Sequence, residues 1–172
     1  YQIEAIFITH AHEDHVGAVG HLWEKLGAPV YARAFTAHIA RGKLAEYGLP
    51  ETVVRTASCW PNKVTAGPFD VSFVPVSHSI PESSALAIVT PSGRLIHTGD
   101  FKLDRSPIVG EPFDETLWKE VAKDGVKALI CDSTNVFSTH EGRSESSLGH
   151  HIAKLVADAP HMVVATTFAS NV

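Results

Sequence analysis

The sequence predicts an α/β fold in which β-sheets are sandwiched between helices, and two observations support this prediction. Segments with the apolar pattern of strands are interleaved along the chain with segments whose apolar residues recur at helical spacing. The chain has 172 residues, of which 44% are hydrophobic, so it can bury the core of one ordinary globular domain.

The first part of the chain begins this alternation. The apolar segment 3–8 predicts a strand, and residues 17–26 carry apolar side chains at helical spacing until Gly27 ends the helix. A short apolar segment at 29–32 predicts a second strand. Residues 36–47 predict a second helix, which ends just before a glycine and a proline.

The middle of the chain predicts strands joined by turns. Residues 53–57 and 69–76 have strand patterns and are separated by segments rich in turn-forming residues. Residues 85–90 and 94–98 flank Pro-Ser-Gly at 91–93, a sequence typical of a hairpin turn. We therefore expect these last two strands to be neighbours in a sheet.

The last part of the chain returns to alternating helices and strands. Residues 113–123 predict an amphipathic helix, and the apolar segment 126–131 predicts a buried strand. A second long helix is predicted over 144–157, with Ser144 as its candidate N-cap. A final strand is predicted over 161–168.

Charge and composition limit the functional classes. The formal net charge is −5, so a nucleic-acid partner cannot be argued from charge alone. The eleven histidines are many for this length, and metal binding is one reason for such an excess. Bound cations would change the local field and make an acidic site attractive to phosphate.

The cysteines and apolar segments indicate an intracellular protein without a membrane span. Cys59 and Cys131 have no paired spacing, so we expect free thiols in a reducing cytoplasm rather than a disulfide. The sequence contains no apolar run long enough to span a membrane, no signal peptide and no repeat. Because it opens at Tyr1 on a strand and closes next to another, we expect an internal fragment of a longer protein.

A run of the form HxHxDH at residues 10–15 is the strongest functional signal. His10 and His12 are two residues apart, so in an extended backbone they project the same way and can share one divalent ion. Asp14 and His15 can take a second ion or orient a metal-bound water. The alternative is a polar loop with a capping aspartate and surface histidines, but capping needs one such residue rather than four.

Two later strand ends supply further candidate ligands. His78 follows a predicted strand and can complete a three-histidine set, although a lone histidine at a strand end is more often structural. Asp100 follows Gly99 after another strand, and a carboxylate with two oxygens is a natural bridge between two cations. The alternative for Asp100 is an ordinary turn aspartate.

These residues lie in motifs that resemble a known family. The HxHxDH run after an apolar strand resembles the dinuclear metal loop of the metallo-β-lactamase superfamily. The motifs HSIPES at 78–83, HTGDFKLD at 97–104, CDSTN at 131–135 and SESS at 144–147 resemble the bacterial ribonuclease J family of metallo-β-lactamase and β-CASP nucleases. The resemblance covers nearly the whole chain in order and spacing.

The resemblance implies an αββα sandwich of the metallo-β-lactamase type, incomplete at both ends. Residues 1–160 would form a partial core, and residues 161–172 would be a strand leading into a β-CASP domain that is absent from this chain. The family's last metal-binding histidine and its phosphate-holding β-CASP histidines have no counterpart here. Domain and site would therefore both be incomplete.

The resemblance also implies a set of site residues. One metal would be bound by three histidines and the second by Asp14 and His15, with Asp100 bridging both. Two divalent ions are expected, with zinc favoured and manganese or magnesium left open. Asp14 would handle the proton of the attacking water, and Asp132 would support a ligand or a proton transfer. The histidines of the first metal would be His10, His12 and His78.

The implied activity is metal-dependent hydrolysis of RNA phosphodiesters, with both 5′-to-3′ exonuclease and endonuclease action and a product that carries a 5′-phosphate. RNA is the expected substrate, no membrane partner is expected, and a homo-oligomer of the full-length protein is left open. Two alternatives remain. One is a hydrolase of the same fold that acts on thioesters or lactones, and the other is a non-catalytic RNA-binding or assembly subunit.

Overall fold

A computed structural model of the chain describes residues 2–140 and 142–167. Eight strands and five helices are described, together with two short 3₁₀ helices at Glu51–Val53 and Glu145–Ser147. The strands are β1 (Ile6–Phe7), β2 (Val30–Ala32), β3 (Val54–Thr56), β4 (Val64–Ala66), β5 (Phe69–Pro75), β6 (Ser84–Thr90), β7 (Gly93–His97) and β8 (Ala128–Ile130). The helices are α1 (Glu13–Val16), α2 (Val19–Leu26), α3 (Ala34–Ala45), α4 (Glu115–Ala122) and α5 (Leu148–Ala157).

The first sheet is small and parallel, in the order β1-β2-β3. Its outer face packs on α2 and α3, because Val30 and Ala32 of β2 share a buried cluster with Ala40 and Leu44 of α3. Gly27 ends α2 in the left-handed conformation, with φ 62°, as the sequence predicted. Since the three strands are parallel, the loops that follow them leave the same edge of the sheet.

The second sheet has the order β4-β5-β6-β7-β8 and is antiparallel except for the parallel pair β7-β8. The predicted hairpin is confirmed as β6 and β7. One face of this sheet packs on α4, where Val74, Ala85 and Ile96 share a cluster with the fully buried Val121. Asp114 caps α4 by accepting hydrogen bonds from its first backbone N–H groups.

The two sheets face each other through an aromatic and aliphatic layer. Phe7 and Tyr31 of the first sheet pack against a cluster that contains Phe73 and Leu86 of the second. The rings of Phe7 and Phe73 lie with their centroids 6.1 Å apart. Because each strand alternates its side chains between two faces, helices cover the outer faces and the sheets share the inner layer. The predicted αββα sandwich is confirmed.

Several elements differ from the prediction. Strand β4 lies in a segment that we expected to be turns. It pairs with β5 through a tight turn at Gly67, whose φ is 55°. The strand predicted as buried over 126–131 is shorter and exposed, because it lies at the sheet edge and no described element covers it. Its residues Leu129 and Ile130 are both more than half exposed.

The end of the described chain also departs from the prediction. Ser144 precedes the 3₁₀ helix but makes no capping bond to it, since its hydroxyl donates to Asp104 instead. Residues 161–167 form no strand, and residue 168 lies outside the described residues. The domain boundary near residue 160 therefore stays a prediction. Among the described residues, none of the helices is both long and apolar enough to cross a membrane.

Candidate metal centre

The candidate site lies where three strands end. The loop after β1 carries His10 and His12, the loop after β5 carries His78, and the loop after β7 carries Asp100. These strands belong to different sheets, so the site spans the edge of the sandwich. A backbone hydrogen bond of 3.1 Å from the N–H of Ser84, the first residue of β6, to the carbonyl oxygen of Thr9 joins the two sheets beside the site.

Three histidines and one carboxylate form the first ligand group. His10, His12, His78 and Asp100 each offer one ligand atom, and these four atoms all lie within 4.8 Å of one another. Nδ1 of His12 lies 3.1 Å from Nε2 of His78. Oδ2 of Asp100 lies 3.8 Å from Nε2 of His10 and 3.9 Å from Nε2 of His78. The residues that the sequence assigned to one ion are thus brought together.

A second group shares Asp100. Its other oxygen, Oδ1, lies 3.4 Å from Nε2 of His15, which in turn lies 3.5 Å from Oδ2 of Asp14. Asp100 therefore presents one carboxylate oxygen to each group. This is the arrangement expected of a carboxylate that bridges two cations. The side chain of Asp14 is 77% exposed, so this second group opens to solvent.

The residues of the first group fit a divalent cation. Nε2 of His10 is buried and has no hydrogen-bond partner among the described residues, whereas Nδ1 of the same ring lies 3.1 Å from the Thr9 hydroxyl. A buried polar atom without a partner costs free energy, and it points here to the centre of a cluster of nitrogen and oxygen donors. Three imidazoles and a carboxylate are ligands that zinc and other divalent transition metals accept.

The electrostatics of the group favour the metal-binding form of its histidines. Burial, together with the neighbouring His15, His78 and His12 rings, lowers the pKa of His10 to about 3. Burial and His12 also lower the pKa of His78. Both imidazoles are therefore neutral at neutral pH, and a neutral imidazole is the form that binds a metal.

Asp132 lies near this centre but in neither ligand group. Its backbone N–H donates to the Thr98 hydroxyl at 2.9 Å, which holds the start of the CDSTN segment beside the loop of Asp100. Its Oδ1 accepts hydrogen bonds from the backbone N–H and the hydroxyl of Thr134, at 2.8 and 2.7 Å. These bonds lower the pKa of Asp132, so its carboxylate is ionised.

Gly99 fixes the backbone just before Asp100. Its φ is 58°, and a Cβ atom at this position would lie 3.0 Å from the carbonyl oxygen of Ser84. The Gly99 N–H donates to Nδ1 of His97 at 3.1 Å. His97 thus supports the loop rather than the ligand groups.

An open cleft of about 500 Å³ follows the loop after Asp100. Its lining includes Lys102, Arg105, Asn135 and Arg143. Lys102 is tied to the site because its backbone N–H donates to the carbonyl oxygen of Ser77, the residue before His78, at 2.7 Å. The cleft therefore brings basic and polar side chains to the loop that follows Asp100, although none of the candidate ligands lines it.

Comparisons with known proteins give the family of the chain. Residues 1–140 match the family model of the metallo-beta-lactamase superfamily. The chain is 44% identical to ribonuclease J of Sinorhizobium meliloti, over 99% of this chain and 30% of that protein. It is 36% identical to ribonuclease J of Corynebacterium glutamicum, over 100% of this chain and 24% of that protein. The chain thus spans less than a third of the length of these relatives.

A solved structure supports the fold alone. A protein of unknown function from Enterococcus faecalis V583 superposes with a TM-score of 0.63 at 20% identity, over 93% of this chain and 40% of that one. The resemblance to the ribonuclease J family is confirmed by the relatives, which match nearly the whole chain. Because the family model covers residues 1–140 of 172, the chain belongs to the metallo-β-lactamase superfamily.

Proposed function

We propose that this chain carries the catalytic centre of a metal-dependent ribonuclease. The observation that carries the proposal is Asp100, whose two carboxylate oxygens face two separate ligand groups. The similarity to proteins named ribonuclease J supports RNA as the substrate. The further action, 5′-to-3′ exonuclease and endonuclease cleavage of single-stranded RNA with a 5′-phosphate on the product, rests on that similarity.

The proposed ligands follow the two groups. His10, His12 and His78 would hold one divalent ion, Asp14 and His15 would hold a second, and Asp100 would serve both. Zinc is favoured by the imidazole-rich first group, while manganese or magnesium suits the more oxygen-rich second group. When bound, two such ions supply Lewis acidity and offset the negative charge of a phosphodiester.

The protein's own side chains then handle the proton and the substrate. Asp14 is exposed and lies beside His15, so its carboxylate can accept the proton of an attacking water. Asp132 is kept ionised by Thr134, and its charge acts on the nearby His78 ring. Arg105 and Arg143 line the cleft formed by the loop after Asp100 and can contact the phosphates of an incoming strand.

The compartment and assembly belong to the same proposal. Cys59 and Cys131 are free thiols, which supports a reducing compartment such as the cytoplasm. The homo-oligomer that the family resemblance leaves open stays a prediction.

The test is RNA cleavage by the purified natural protein. We expect cleavage of single-stranded RNA that carries a 5′-monophosphate. We also expect an Asp100→Asn substitution to lower the cleavage rate by about 100-fold or more. Losing a residue that only supports a metal ligand already lowers metal affinity or activity by about 10- to 100-fold. Asp158→Asn is the matched control, because this exposed carboxylate pairs with Lys154 on α5.

The competing activities give distinct results in the same experiment. Hydrolysis of a thioester or lactone without RNA cleavage would favour the other hydrolase of this fold. RNA binding without any cleavage, and without bound transition metal in elemental analysis, would favour a non-catalytic subunit. Equal cleavage rates for the Asp100→Asn variant and the natural protein would contradict the proposed centre.

A further inference from the structure

We propose that Glu82 is a positioning residue for the candidate metal centre. Its carboxylate ties the loop that carries His78 to the opposite sheet, and so sets the position of the His78 imidazole relative to His10 and His12. The inference rests on the proposed metal centre and deepens it. Four observations, on backbone strain, helix capping, burial and connectivity, support it independently.

The backbone of Glu82 is strained. With φ 58°, it is the one non-glycine residue of the described chain whose φ is positive. Such a conformation costs free energy for a residue with a Cβ atom, and it persists where surrounding contacts fix it. Glu82 lies four residues after His78 in the connection between β5 and β6. Strain at this position indicates that its side chain is held from outside the loop.

The first contact that holds Glu82 is the start of α3. Oε2 of Glu82 accepts a hydrogen bond of 2.6 Å from the backbone N–H of Phe35. Arg33, at the N-cap position of this helix, makes no side-chain capping bond of its own. Glu82 therefore satisfies an N–H group that the helix leaves free, and its negative charge lies at the favourable end of the helix dipole.

The second contact is the buried side chain of Arg33. Only 8% of Arg33 is exposed. Its Nη2 donates a hydrogen bond to Oε1 of Glu111 and lies 3.8 Å from Oε1 of Glu82. Nη1 of Arg33 and Oε2 of Glu111 are buried without a hydrogen-bond partner among the described residues. A buried guanidinium needs its carboxylate partners, so removing one of them is costly and Glu82 is held firmly.

The connectivity makes these contacts relevant to the metal centre. Arg33 directly follows β2, which pairs with β1, and β1 leads into the loop of His10 and His12. His78 lies in the loop after β5 of the other sheet, yet its Nε2 lies 3.1 Å from Nδ1 of His12. The contacts of Glu82 thus cross between the same two sheets as the ligand group does. Without them, the backbone hydrogen bond from Ser84 to Thr9 would still join the two sheets, but the stretch between His78 and Ser84 would lose its side-chain contacts to the first sheet.

A purely structural role of Glu82 makes a different prediction. If Glu82 only stabilised α3, its loss would lower the free energy of unfolding and leave the metal affinity unchanged. Asp114 provides the matched comparison, because its carboxylate also caps a helix by accepting bonds from Thr116 and Leu117. Asp114 lies on the far side of the second sheet from the first sheet, with no contact to the ligand groups among its described bonds.

The experiment is a titration of the metal-free natural protein with Co²⁺, followed by its visible absorption spectrum and by competition with a chelator. Glu82→Gly relieves the backbone strain but removes the carboxylate, and Glu82→Gln keeps an acceptor for Phe35 but loses the charge facing Arg33. We expect Glu82→Gly to weaken cobalt binding by about 10- to 100-fold and to change the spectrum, with Glu82→Gln intermediate. Asp114→Ala should bind cobalt as the natural protein does.

The outcomes separate this inference from the proposed function. Unchanged cobalt affinity and an unchanged spectrum in both Glu82 variants would overturn the positioning role while leaving the metal centre in place. Absence of cobalt binding by the natural protein would overturn the metal centre, and the inference with it. Circular dichroism of the metal-free variants distinguishes a misplaced His78 from an unfolded chain, and Glu82→Gln decides the question if Glu82→Gly does not fold.

Discussion

At the residue scale, His10 shows how the site costs stability. The ring is fully buried, its Nδ1 faces the Thr9 hydroxyl, and its Nε2 lacks a partner among the described residues. An ordinary core residue of similar size would not leave a polar atom without a hydrogen bond. The unpaired nitrogen makes sense if it is available to a ligand, so the metal-free protein should be less stable than its packing would allow.

This cost should appear as a pH dependence of the metal-free protein. His10 has a pKa of about 3 in the folded chain, against about 6.5 when unfolded. Above pH 6.5 neither state is protonated at this ring, so its contribution to the free energy of unfolding is complete. As the pH falls toward 3, the unfolded chain takes up a proton that folded His10 refuses, and stability drops by up to about 1.4 kcal/mol per pH unit.

Urea unfolding of chelator-treated protein at a series of pH values measures this effect. A His10→Gln variant, which cannot take up the proton, should show a shallower loss of unfolding free energy between pH 6.5 and 3. His38→Gln is the control, because His38 is an exposed histidine on α3. Parallel curves for the natural protein and His10→Gln would contradict the burial of a neutral His10.

At the element scale, the start of the last helix is fastened to the loop after β7. Asp104 is buried and accepts hydrogen bonds from the backbone N–H groups of Ser106 and Glu145 and from the Ser144 hydroxyl, at 2.8, 2.9 and 2.7 Å. Glu145 in turn accepts a 2.6 Å bond from Nζ of Lys102. The SESS segment therefore shapes one wall of the cleft beside the candidate centre.

An Asp104→Asn substitution should loosen this junction. Burial raises the pKa of the Asp104 carboxyl, but its three hydrogen bonds outweigh burial and bring the pKa below its usual range. In the side chain of the Asp104→Asn variant, an NH₂ group replaces one carboxylate oxygen and faces a backbone N–H donor that it cannot accept. We therefore expect the free energy of unfolding at pH 7 to fall by about 1–3 kcal/mol. Denaturant unfolding measures it, with Asp158→Asn as the exposed control.

The pH dependence of this difference in stability tests whether Asp104 is ionised. A lowered carboxyl pKa contributes stability above the unfolded value of about 3.9, and this contribution is lost as the pH falls below it. The difference between the natural protein and Asp104→Asn should therefore shrink toward pH 2. A difference that is constant across this range would contradict an ionised Asp104.

The sequence predicted most elements because their signals are local. Gly27 marks the end of α2 and the Pro-Ser-Gly turn marks the β6-β7 hairpin, and both depend on the residues present at that point of the chain. Whether β8 is buried or exposed could not be predicted in this way. An apolar segment looks the same whether a neighbouring element covers it or not, and β8 lies at an edge of its sheet.

At the scale of the whole molecule, the candidate ligands were accessible to sequence analysis while their support was not. The spacing of His10, His12 and Asp14 predicts them as ligands. His78 and Asp100 are predicted by their positions after strands. Glu82 lies in the HSIPES motif, but nothing in that motif or around Arg33 predicts their contact, because the contact joins distant segments of the chain. The bond from Phe35 to Glu82 joins residues 47 positions apart, and only the packed sandwich brings them together.

The described surface also carries exposed apolar side chains. Helix α5 exposes Ile152, Leu155 and Val156, each more than half accessible. Strand β8 exposes Leu129 and Ile130 as well. Apolar surface of this extent favours association between chains in water. We therefore expect the 172-residue chain to self-associate at high concentration.

A Leu155→Lys substitution tests this expectation. Leu155 is 72% exposed, so replacing it should leave the free energy of unfolding within about 0.5 kcal/mol while removing part of the apolar surface. The added charge moves the net charge from −5 to −4, toward zero, so charge alone would promote association rather than oppose it. His151→Lys on the same helix adds the same charge without removing apolar surface. Sedimentation velocity at rising concentration should show weaker association for Leu155→Lys than for His151→Lys and the unaltered chain. Equal association of all three proteins would mean that the apolar face of α5 plays no part.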